Sequence, residues 1–281
     1  MQTKEIKILI TDLDGTLRDT IQGFPEDNIE SLYSLEKKDI IRVIATGRSI
    51  YSANNVLPND FPIDYFIFSS GAGIMNWKTK KIIFERHLQG EDVAEISKDL
   101  IDIGIDFMIH LPIPENHKFY YHSAGNETPD FIRRCDVYSD YIIRLKDEHN
   151  SFGDSSQMLA IINNDIDLFK VIEARLTSKF SNIKLIRTTS PLDNDSIWLE
   201  IFPKDVSKGI SSDWLCNKLG LNKKESIVIG NDYNDIDLLD WSPNSYVVAN
   251  APEELKQGNK VIESCLDSGV AKLINQLFNY I

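Results

Sequence analysis

The stretch Lys7-Ile-Leu-Ile-Thr-Asp-Leu-Asp-Gly-Thr16 decides the fold of this chain. The apolar run Ile6–Ile10 soon reaches Asp12 and Asp14, so two carboxylates follow a segment typical of a buried strand. In open α/β sheets, ligands bind beyond the carboxyl ends of the strands. Two aspartates at i and i+2, followed by Gly15, can hold one hard cation through a side chain and a backbone carbonyl. The stretch therefore predicts a strand that ends in a polar site.

Four more short apolar runs end in small or polar residues, a pattern typical of buried parallel strands. They are Ile40–Ile44, Tyr65–Phe68, Ile227–Ile229 and Tyr246–Val248. Between the runs, Pro25–Lys38 and Ser207–Leu219 carry apolar residues at helical spacing. Alternating strands and helices favour an open sheet with helices on both faces. We therefore expect an α/β fold with a Rossmann-like parallel sheet.

The middle of the chain, residues 85–190, has a different pattern and is long enough to own a core. We expect helices at Glu91–Ile103, Pro129–Ser139 and Asp165–Lys179, and strands at Ile105–His110, Lys118–His122, Gln157–Ile162 and Ile183–Thr188. Ile197–Phe202 then leads the chain back. This organisation predicts a catalytic core formed by residues 1–84 and 191–281, with an inserted α+β domain at 85–190.

Charge and composition exclude several classes of function. The 281 residues include 43 acidic and 30 basic side chains, a net charge of −13, whereas nucleic acids and anionic membranes select basic surfaces. No apolar run is long enough to span a membrane, and the first residues do not resemble a signal peptide. Cys135, Cys216 and Cys265 show no metal-binding spacing. We expect a cytoplasmic protein with a small-molecule partner and no nucleic acid, membrane or obligate protein partner.

Polar or small residues follow every predicted strand of the core. Beyond Asp12 and Asp14, they include Thr46, Gly47, Arg48, Ser70, Gly71, Asn231, Asn234, Asp235 and Asn250. Because these strand ends meet at one edge of the sheet, they predict a single site. Lys208 follows the helix cap Ser207, and Arg48 occupies a similar place. A helix start disfavours cations, so both predict an anionic ligand.

Together these residues resemble the haloacid dehalogenase (HAD) superfamily, specifically its Cof-type branch with a C2 (IIB) α/β cap. Asp12-Leu-Asp-Gly-Thr16 is similar to the first family motif and Thr46-Gly-Arg48 to the second. Ser207-Lys-Gly209 is similar to the third motif and Gly230-Asn-Asp-Tyr-Asn-Asp235 to the fourth, while Ala249-Asn-Ala251 matches the signature near the end. The insert falls between the second and third motifs, where this branch has its cap. The resemblance covers nearly the whole chain.

The resemblance implies a Mg²⁺-dependent phosphatase that hydrolyses a small phosphorylated metabolite, expected to be a sugar phosphate, through an aspartyl-phosphate. Asp12 would be the nucleophile and Asp14 the general acid and base, while Lys208 and Thr46 stabilise charge. The implied metal residues are Asp12, Asp14, Asn231 and Asp235, the last as a metal residue or as a support for Lys208. The implied substrate-binding residues are Gly47, Arg48, Ser70, Gly71, Asn234 and Asn250.

Two positions depart from the family pattern, and other functions stay open. Asn231 stands where the fourth motif usually has Asp, so the metal site loses one charge or Asp232 takes part instead. Ser70 replaces the Asn of the usual Asn-Gly-Ala loop. The alternatives are a phosphosugar mutase of the phosphomannomutase type, a phospho-acceptor signalling module and a non-catalytic metabolite-binding protein. The acidic insert argues against the mutase, and Asp14 has no purpose in a phospho-acceptor.

The insert contains polar residues that could contact a substrate: His110, His117, Tyr120, His122 and Arg133. A hairpin whose histidines face solvent is the simpler interpretation, and we favour it. The spacing of these histidines matches no familiar zinc site, so we expect no structural zinc.

Overall fold

The computed structural model describes residues 6–125, 127–146, 152–190 and 196–278. The chain divides into two compact units. Unit 1 comprises Met1–Arg48, Ala53–Phe84 and Ser207–Ile281, and unit 2 comprises Ser49–Ser52 and Glu85–Val206. Among the helices within the described ranges, none combines the length and the apolar character needed to cross a membrane.

The secondary structure begins and ends at local signals. The strands are β1 (Ile8–Thr11), β2 (Ile41–Ala45), β3 (Tyr65–Phe68), β4 (Gly73–Asn76), β5 (Lys81–Glu85), β6 (Phe107–His110), β7 (Phe119–His122), β8 (Ile142–Arg144), β9 (Gln157–Ile162), β10 (Ile183–Thr189), β11 (Ile197–Pro203), β12 (Ser226–Gly230), β13 (Ser245–Val248) and β14 (Lys260–Ile262). The helices are α1 (Glu26–Glu36), α2 (Ile50–Asn54), α3 (Gly90–Asp102), α4 (Pro129–Val137), α5 (Ile166–Lys179), α6 (Lys208–Leu219), α7 (Ile236–Trp241), α8 (Glu253–Lys256) and α9 (Gly269–Phe278). Thr128 and Asp165 cap α4 and α5 with side-chain oxygens that accept from backbone amides.

Unit 1 is built on a sheet in the order β14-β13-β12-β1-β2-β3-β4-β5. β1 lies inside it and pairs in parallel with β2 and β12, so that Thr11 stands opposite Ile44 and Ile229. The predicted α/β fold is confirmed, and all five predicted core runs are strands. β4 runs antiparallel to β3, which the sequence analysis did not predict. The link between them is too short for the crossover that a parallel pair needs.

The core of unit 1 fixes α6 against the sheet. Ile8 and Ile10 of β1 are fully buried and pack in one cluster with Leu215 of α6 and Leu238 of α7. Burying such a side chain contributes about 1.5–3 kcal/mol. Because α6 begins at Lys208, this packing determines where the lysine lies relative to β1.

Unit 2 is built on a second sheet in the order β10-β11-β9-β6-β7-β8. One face packs on α3 and α5, and the other carries a cluster of Phe119, Trp198 and Phe131 from α4. β11 pairs antiparallel with both β9 and β10. We expected the chain to return to the core at 191, next to residues 191–195 outside the described ranges. Unit 2 instead continues to Val206, because β11 belongs to its sheet.

The expectation that the insert's histidines face solvent is wrong for His110. This residue lies in β6, between β7 and β9, and is only 3% exposed. It is enclosed because helices cover both faces of the sheet near this strand. His117, Tyr120 and His122 are partly buried, and Arg133 is exposed. In the described part of the chain, no group of three or more His, Cys, Asp or Glu side chains is arranged to hold a metal.

Candidate active site

The candidate site lies in unit 1, at the carboxyl end of β1. Asp12 follows β1 directly, and its amide donates to the Ile229 carbonyl of β12 at 2.9 Å. Thr46 follows β2, and its amide donates to the Ile67 carbonyl of β3 at 2.9 Å. Because neighbouring parallel strands end at one edge of the sheet, the predicted residues Asp12, Thr46 and Asn231 meet there.

Lys208 has no exposed side-chain surface and binds three side chains. Its Nζ donates to Asp12 Oδ1 at 2.7 Å, to Asp235 Oδ1 at 2.6 Å and to Asn234 Oδ1 at 3.1 Å. Ser207 caps α6 as expected, so Lys208 stands in the first helical turn. The helix dipole disfavours a cation there, and the two carboxylates compensate for that effect.

Burial and charge shift the acid–base properties of this pair. Burial raises the pKa of Asp12 to about 8; the carboxylates of Asp235 and Asp14 act in the same direction, while Lys208 opposes them. Burial alone would lower the pKa of Lys208, but the charges and hydrogen bonds of Asp12 and Asp235 outweigh it and raise that pKa. Lys208 therefore stays charged. Further positive charge near Asp12 would favour its ionised, nucleophilic form.

The amide of Asn231 converges on oxygens of the Asp12–Thr16 loop. One of its two terminal atoms lies 3.0 Å from the Asp14 carbonyl oxygen and 3.0 Å from Asp12 Oδ2. With its nitrogen in that place the amide donates to both oxygens; with its oxygen there, three oxygens face one another and a bound cation would stabilise them. Gly15 permits this approach, since its φ is +81° and a Cβ would lie 2.5 Å from Asn231 Nδ2. The donor set fits a hard divalent cation.

Asp235 supports the site from behind. It is completely buried, and its Oδ1 accepts from Lys208. Its Oδ2 accepts from the backbone amides of Asn231 at 2.8 Å and Asp232 at 3.1 Å. Both oxygens are therefore engaged in positioning the lysine and the Asn231 loop. Direct metal coordination by Asp235 stays a prediction.

Two arginines hold the carboxylate of Asp14. Arg48 donates from Nε to Oδ2 at 2.5 Å and from Nη2 to Oδ1 at 3.0 Å. Arg18 donates from Nη1 to Oδ1 at 2.6 Å and is 8% exposed. The sequence analysis missed Arg18. Its signal was the spacing of four residues from Asp14, in a turn closed by the Gly15 amide donating to the Arg18 carbonyl at 2.8 Å.

The expectation that Arg48 lies in the first turn of a helix is wrong, because α2 begins at Ile50. The Arg48 carbonyl accepts from the amide of Ser69 at 2.9 Å, and the Arg48 amide donates to Thr46 Oγ1 at 3.2 Å. These bonds hold Arg48 ahead of the helix, where its side chain reaches Asp14. Its contact with a substrate stays a prediction.

The predicted substrate-binding residues Gly47, Ser70, Gly71 and Asn234 come together beside α6. A Cβ on Gly47 would lie 3.5 Å from Ser70 Oγ and 3.6 Å from Asn234 Nδ2. Gly71 packs on the start of α6, where a Cβ would lie 2.3 Å from the Ser207 carbonyl oxygen. Its φ of +104° also favours glycine. The loop after β3 is thereby held next to the helix that carries Lys208.

Asn250 lies beside the loop that follows Asp14. Its Nδ2 donates to the Gly15 carbonyl at 2.8 Å, and its Oδ1 accepts from the Cys265 amide at 2.9 Å. Both ends of the amide therefore tie backbone segments together. The predicted contact between Asn250 and a substrate stays a prediction.

Solved structures show the same fold as this chain. SMU.1108c from Streptococcus mutans has a TM-score of 0.81 at 19% identity, covering 98% of this chain and 99% of that one. The HAD subclass IIB sugar phosphatase BT4131 has a TM-score of 0.76 at 21% identity, covering 98% of this chain and 100% of that one.

Sequence comparison gives the family. The relative named "Putative phosphatase YxeH", from Bacillus subtilis, is 25% identical over 285 residues, which cover 96% of this chain and 98% of that protein. The family model for haloacid dehalogenase-like hydrolases matches residues 9–274, a range that contains Asp12, Lys208 and Asn231. The chain therefore belongs to the haloacid dehalogenase-like hydrolases, as its motifs predicted.

Proposed function

We propose that this hydrolase is a Mg²⁺-dependent phosphatase that acts on a small phosphorylated metabolite through an aspartyl-phosphate at Asp12. The observation that carries the proposal is the 2.7 Å contact between Asp12 and Lys208 in a buried site, with Asp14 two residues further on. A carboxylate nucleophile divides a difficult hydrolysis into two easier displacements. A transferring phosphoryl group needs charge stabilisation more than covalent help, and Lys208 supplies part of it.

Asp12 attacks phosphorus in the first step, forming a P–O bond while the bond to the leaving oxygen breaks. Asp14 protonates that oxygen, and the substrate leaves as an alcohol. In the second step Asp14 takes a proton from water, which attacks phosphorus and releases Asp12 and phosphate. Arg18 and Arg48 hold the Asp14 carboxylate in one orientation for both transfers.

The two arginines differ in their freedom to respond to a substrate. The side chain of Arg48 is 23% exposed and that of Arg18 is 10% exposed. A bidentate guanidinium binds phosphate as well as carboxylate. We therefore assign Arg48 to exchange Asp14 for phosphoryl oxygens when substrate arrives, while Arg18 keeps Asp14 in place.

Mg²⁺ fits the oxygens of Asp12, the Asp14 carbonyl and Asn231. The chain's own charges support a metal requirement, because Lys208 is already paired with two carboxylates. Such a site would repel a phosphate, and a bound divalent cation reverses the local sign. When bound, Mg²⁺ supplies Lewis-acid stabilisation of charge on the transferring phosphoryl group.

We further propose a sugar phosphate as the substrate class, unit 2 as the domain that selects the leaving group, and a cytoplasmic location. The substrate class is supported by the sugar phosphatase BT4131, which has this fold. The location is supported by the free thiols of Cys135, Cys216 and Cys265.

A phosphatase assay with matched variants tests the proposal. We expect Mg²⁺-dependent release of phosphate from p-nitrophenyl phosphate, and stronger turnover of some sugar phosphates in a metabolite panel. Asp12→Asn should abolish turnover while the circular dichroism spectrum is retained. Asp240→Asn, a change at an exposed aspartate of α7, is the control and should leave turnover unchanged. Full activity of Asp12→Asn, or no hydrolysis of any phosphomonoester with Mg²⁺, would refute the proposal.

A further inference from the structure

Unit 2 contains a guanidinium with aromatic neighbours and no anionic partner. Arg134 of α4 places its Cζ 4.5 Å from the ring centre of Trp198, 5.2 Å from that of Tyr138 and 5.8 Å from that of Phe119. Its Nε is buried without a hydrogen-bond partner. Within the described ranges, no carboxylate lies within ion-pair distance of this guanidinium, although Arg42, Arg86 and Arg175 all have one.

The nearby carboxylates do not compensate for this. Asp130 accepts from Trp198 Nε1 at 2.6 Å, and Glu200 accepts from Thr188 Oγ1 at 3.1 Å. Burial lowers the pKa of Arg134, against the weaker attraction of such neighbours. Contacts between a cation and aromatic rings recover only about 0.5–2 kcal/mol, and a guanidinium has five N–H donors to satisfy. The site therefore has donors and positive charge available for an anionic group.

A second polar atom without a partner lies near the same ring. The His110 ring is 4.9 Å from that of Phe119, and its Nδ1 lies 2.8 Å from the Asn116 carbonyl oxygen. A carbonyl only accepts, so Nδ1 carries the proton and Nε2 is an acceptor. This Nε2 is buried and has no partner. Burial lowers the pKa of His110 to about 3, with the charge of Arg134 contributing, so the ring is neutral at ordinary pH.

We propose that Arg134 and His110 form a binding site for a small hydroxylated anion. An anionic oxygen of the ligand accepts from the Arg134 guanidinium, and a hydroxyl of the ligand donates to His110 Nε2. The two groups require opposite hydrogen-bonding partners, so neither a plain anion nor a plain polyol satisfies both. Hydroxy acids and phosphorylated polyols have the required chemistry. The inference concerns unit 2 alone and stands whether or not the chain is a phosphatase.

Calorimetric titration of the full chain without divalent cations tests this site. The probes are gluconate, with a carboxylate and hydroxyls, and glycerol 3-phosphate, with a phosphate and hydroxyls. Acetate lacks hydroxyls and sorbitol lacks charge. We expect at least one hydroxylated anion to bind at least tenfold more tightly than acetate and sorbitol, and the stronger of the two identifies carboxylate or phosphate as the preferred anion.

Variants locate the binding. Arg134→Met should weaken that probe about 10- to 100-fold, the loss typical of hydrogen bonds to a charged group. His110→Asn keeps a donor for the Asn116 carbonyl and removes the acceptor, so it should weaken the hydroxylated anion while leaving acetate unchanged. Arg133→Met removes an exposed arginine from the same helix and is the control.

Thermal melting of each variant establishes that it is folded, and the two independent substitutions guard against a single misfolded protein. Binding of neither hydroxylated anion, or equal binding by wild type and both folded variants, would overturn the proposal. It would then leave Arg134 as a purely structural member of the aromatic cluster.

Discussion

Replacing Lys208 by methionine tests the charge balance of the site, because the change removes the ammonium and keeps most of the side-chain volume. The lysine is completely buried, and Asp12 and Asp235 lie 2.7 and 2.6 Å from its Nζ. Removing one partner of a buried ion pair costs about 3–5 kcal/mol. Loss of one positioned donor from an active site lowers kcat by about 10²–10³.

The pH dependence follows from the same contacts. The positive charge of Lys208 lowers the pKa of Asp12, which burial otherwise raises. Its removal therefore raises the pKa of Asp12 further, so a larger share of Asp12 is protonated and unable to attack at a given pH. We expect the acidic limb of the pH–rate profile to move towards higher pH in Lys208→Met.

The assay is p-nitrophenyl phosphate hydrolysis from pH 5 to 9 with saturating Mg²⁺, together with urea unfolding. Lys218→Met is the control, since it makes the same change at an exposed lysine of the same helix. The control should retain wild-type kcat and stability. A kcat for Lys208→Met within threefold of wild type, with an unmoved acidic limb, would refute the assignment of Lys208.

Three further changes give separate tests. Arg18→Met should lower kcat about 10- to 100-fold with a smaller change in KM, because it removes one of two guanidiniums that orient Asp14; steady-state kinetics would show an unchanged kcat if Arg18 were only structural. Gly71→Ala should reduce the unfolding free energy by more than about 1 kcal/mol in urea titrations, since φ is +104° and the Cβ would clash. Burial acts to raise the pKa of Asp64, but hydrogen bonds and charge from Arg42 outweigh it and lower that pKa. The stabilisation is thus complete above about pH 4, the unfolded value, and is lost as pH falls through the lower folded value; acid unfolding of Asp64→Asn should lack this component.

Much of the fold follows from local sequence pattern. Tyr65–Phe68 and Gln157–Ile162 are strands with the predicted bounds, because each is a continuous apolar run enclosed in a sheet. β14 was missed since Lys260–Ile262 is short and mostly exposed, so no run of apolar residues marks it. β11 was found as a strand, but which sheet it joins depends on pairing with β9 and β10, which the segment itself does not encode.

The candidate site was predictable where a local rule applied. The cap at Ser207 placed Lys208 correctly at the start of α6. Arg18 escaped notice because its role depends on the turn that brings it back to Asp14, and single-residue patterns do not reveal that turn. His110 was misjudged for a related reason, since its burial depends on the helices that cover the sheet.

Acid-quenched mass spectrometry during turnover tests the central proposal most directly. A rapidly mixed sample of the enzyme, Mg²⁺ and a turned-over substrate should yield the peptide containing Asp12 with the added mass of one phosphoryl group. Fragmentation should place that group on Asp12, and Asp12→Asn should show neither the adduct nor turnover. Hydrolysis that continues in Asp12→Asn, or a phosphoryl group found on another residue with Asp12 unmodified, would contradict the proposed mechanism.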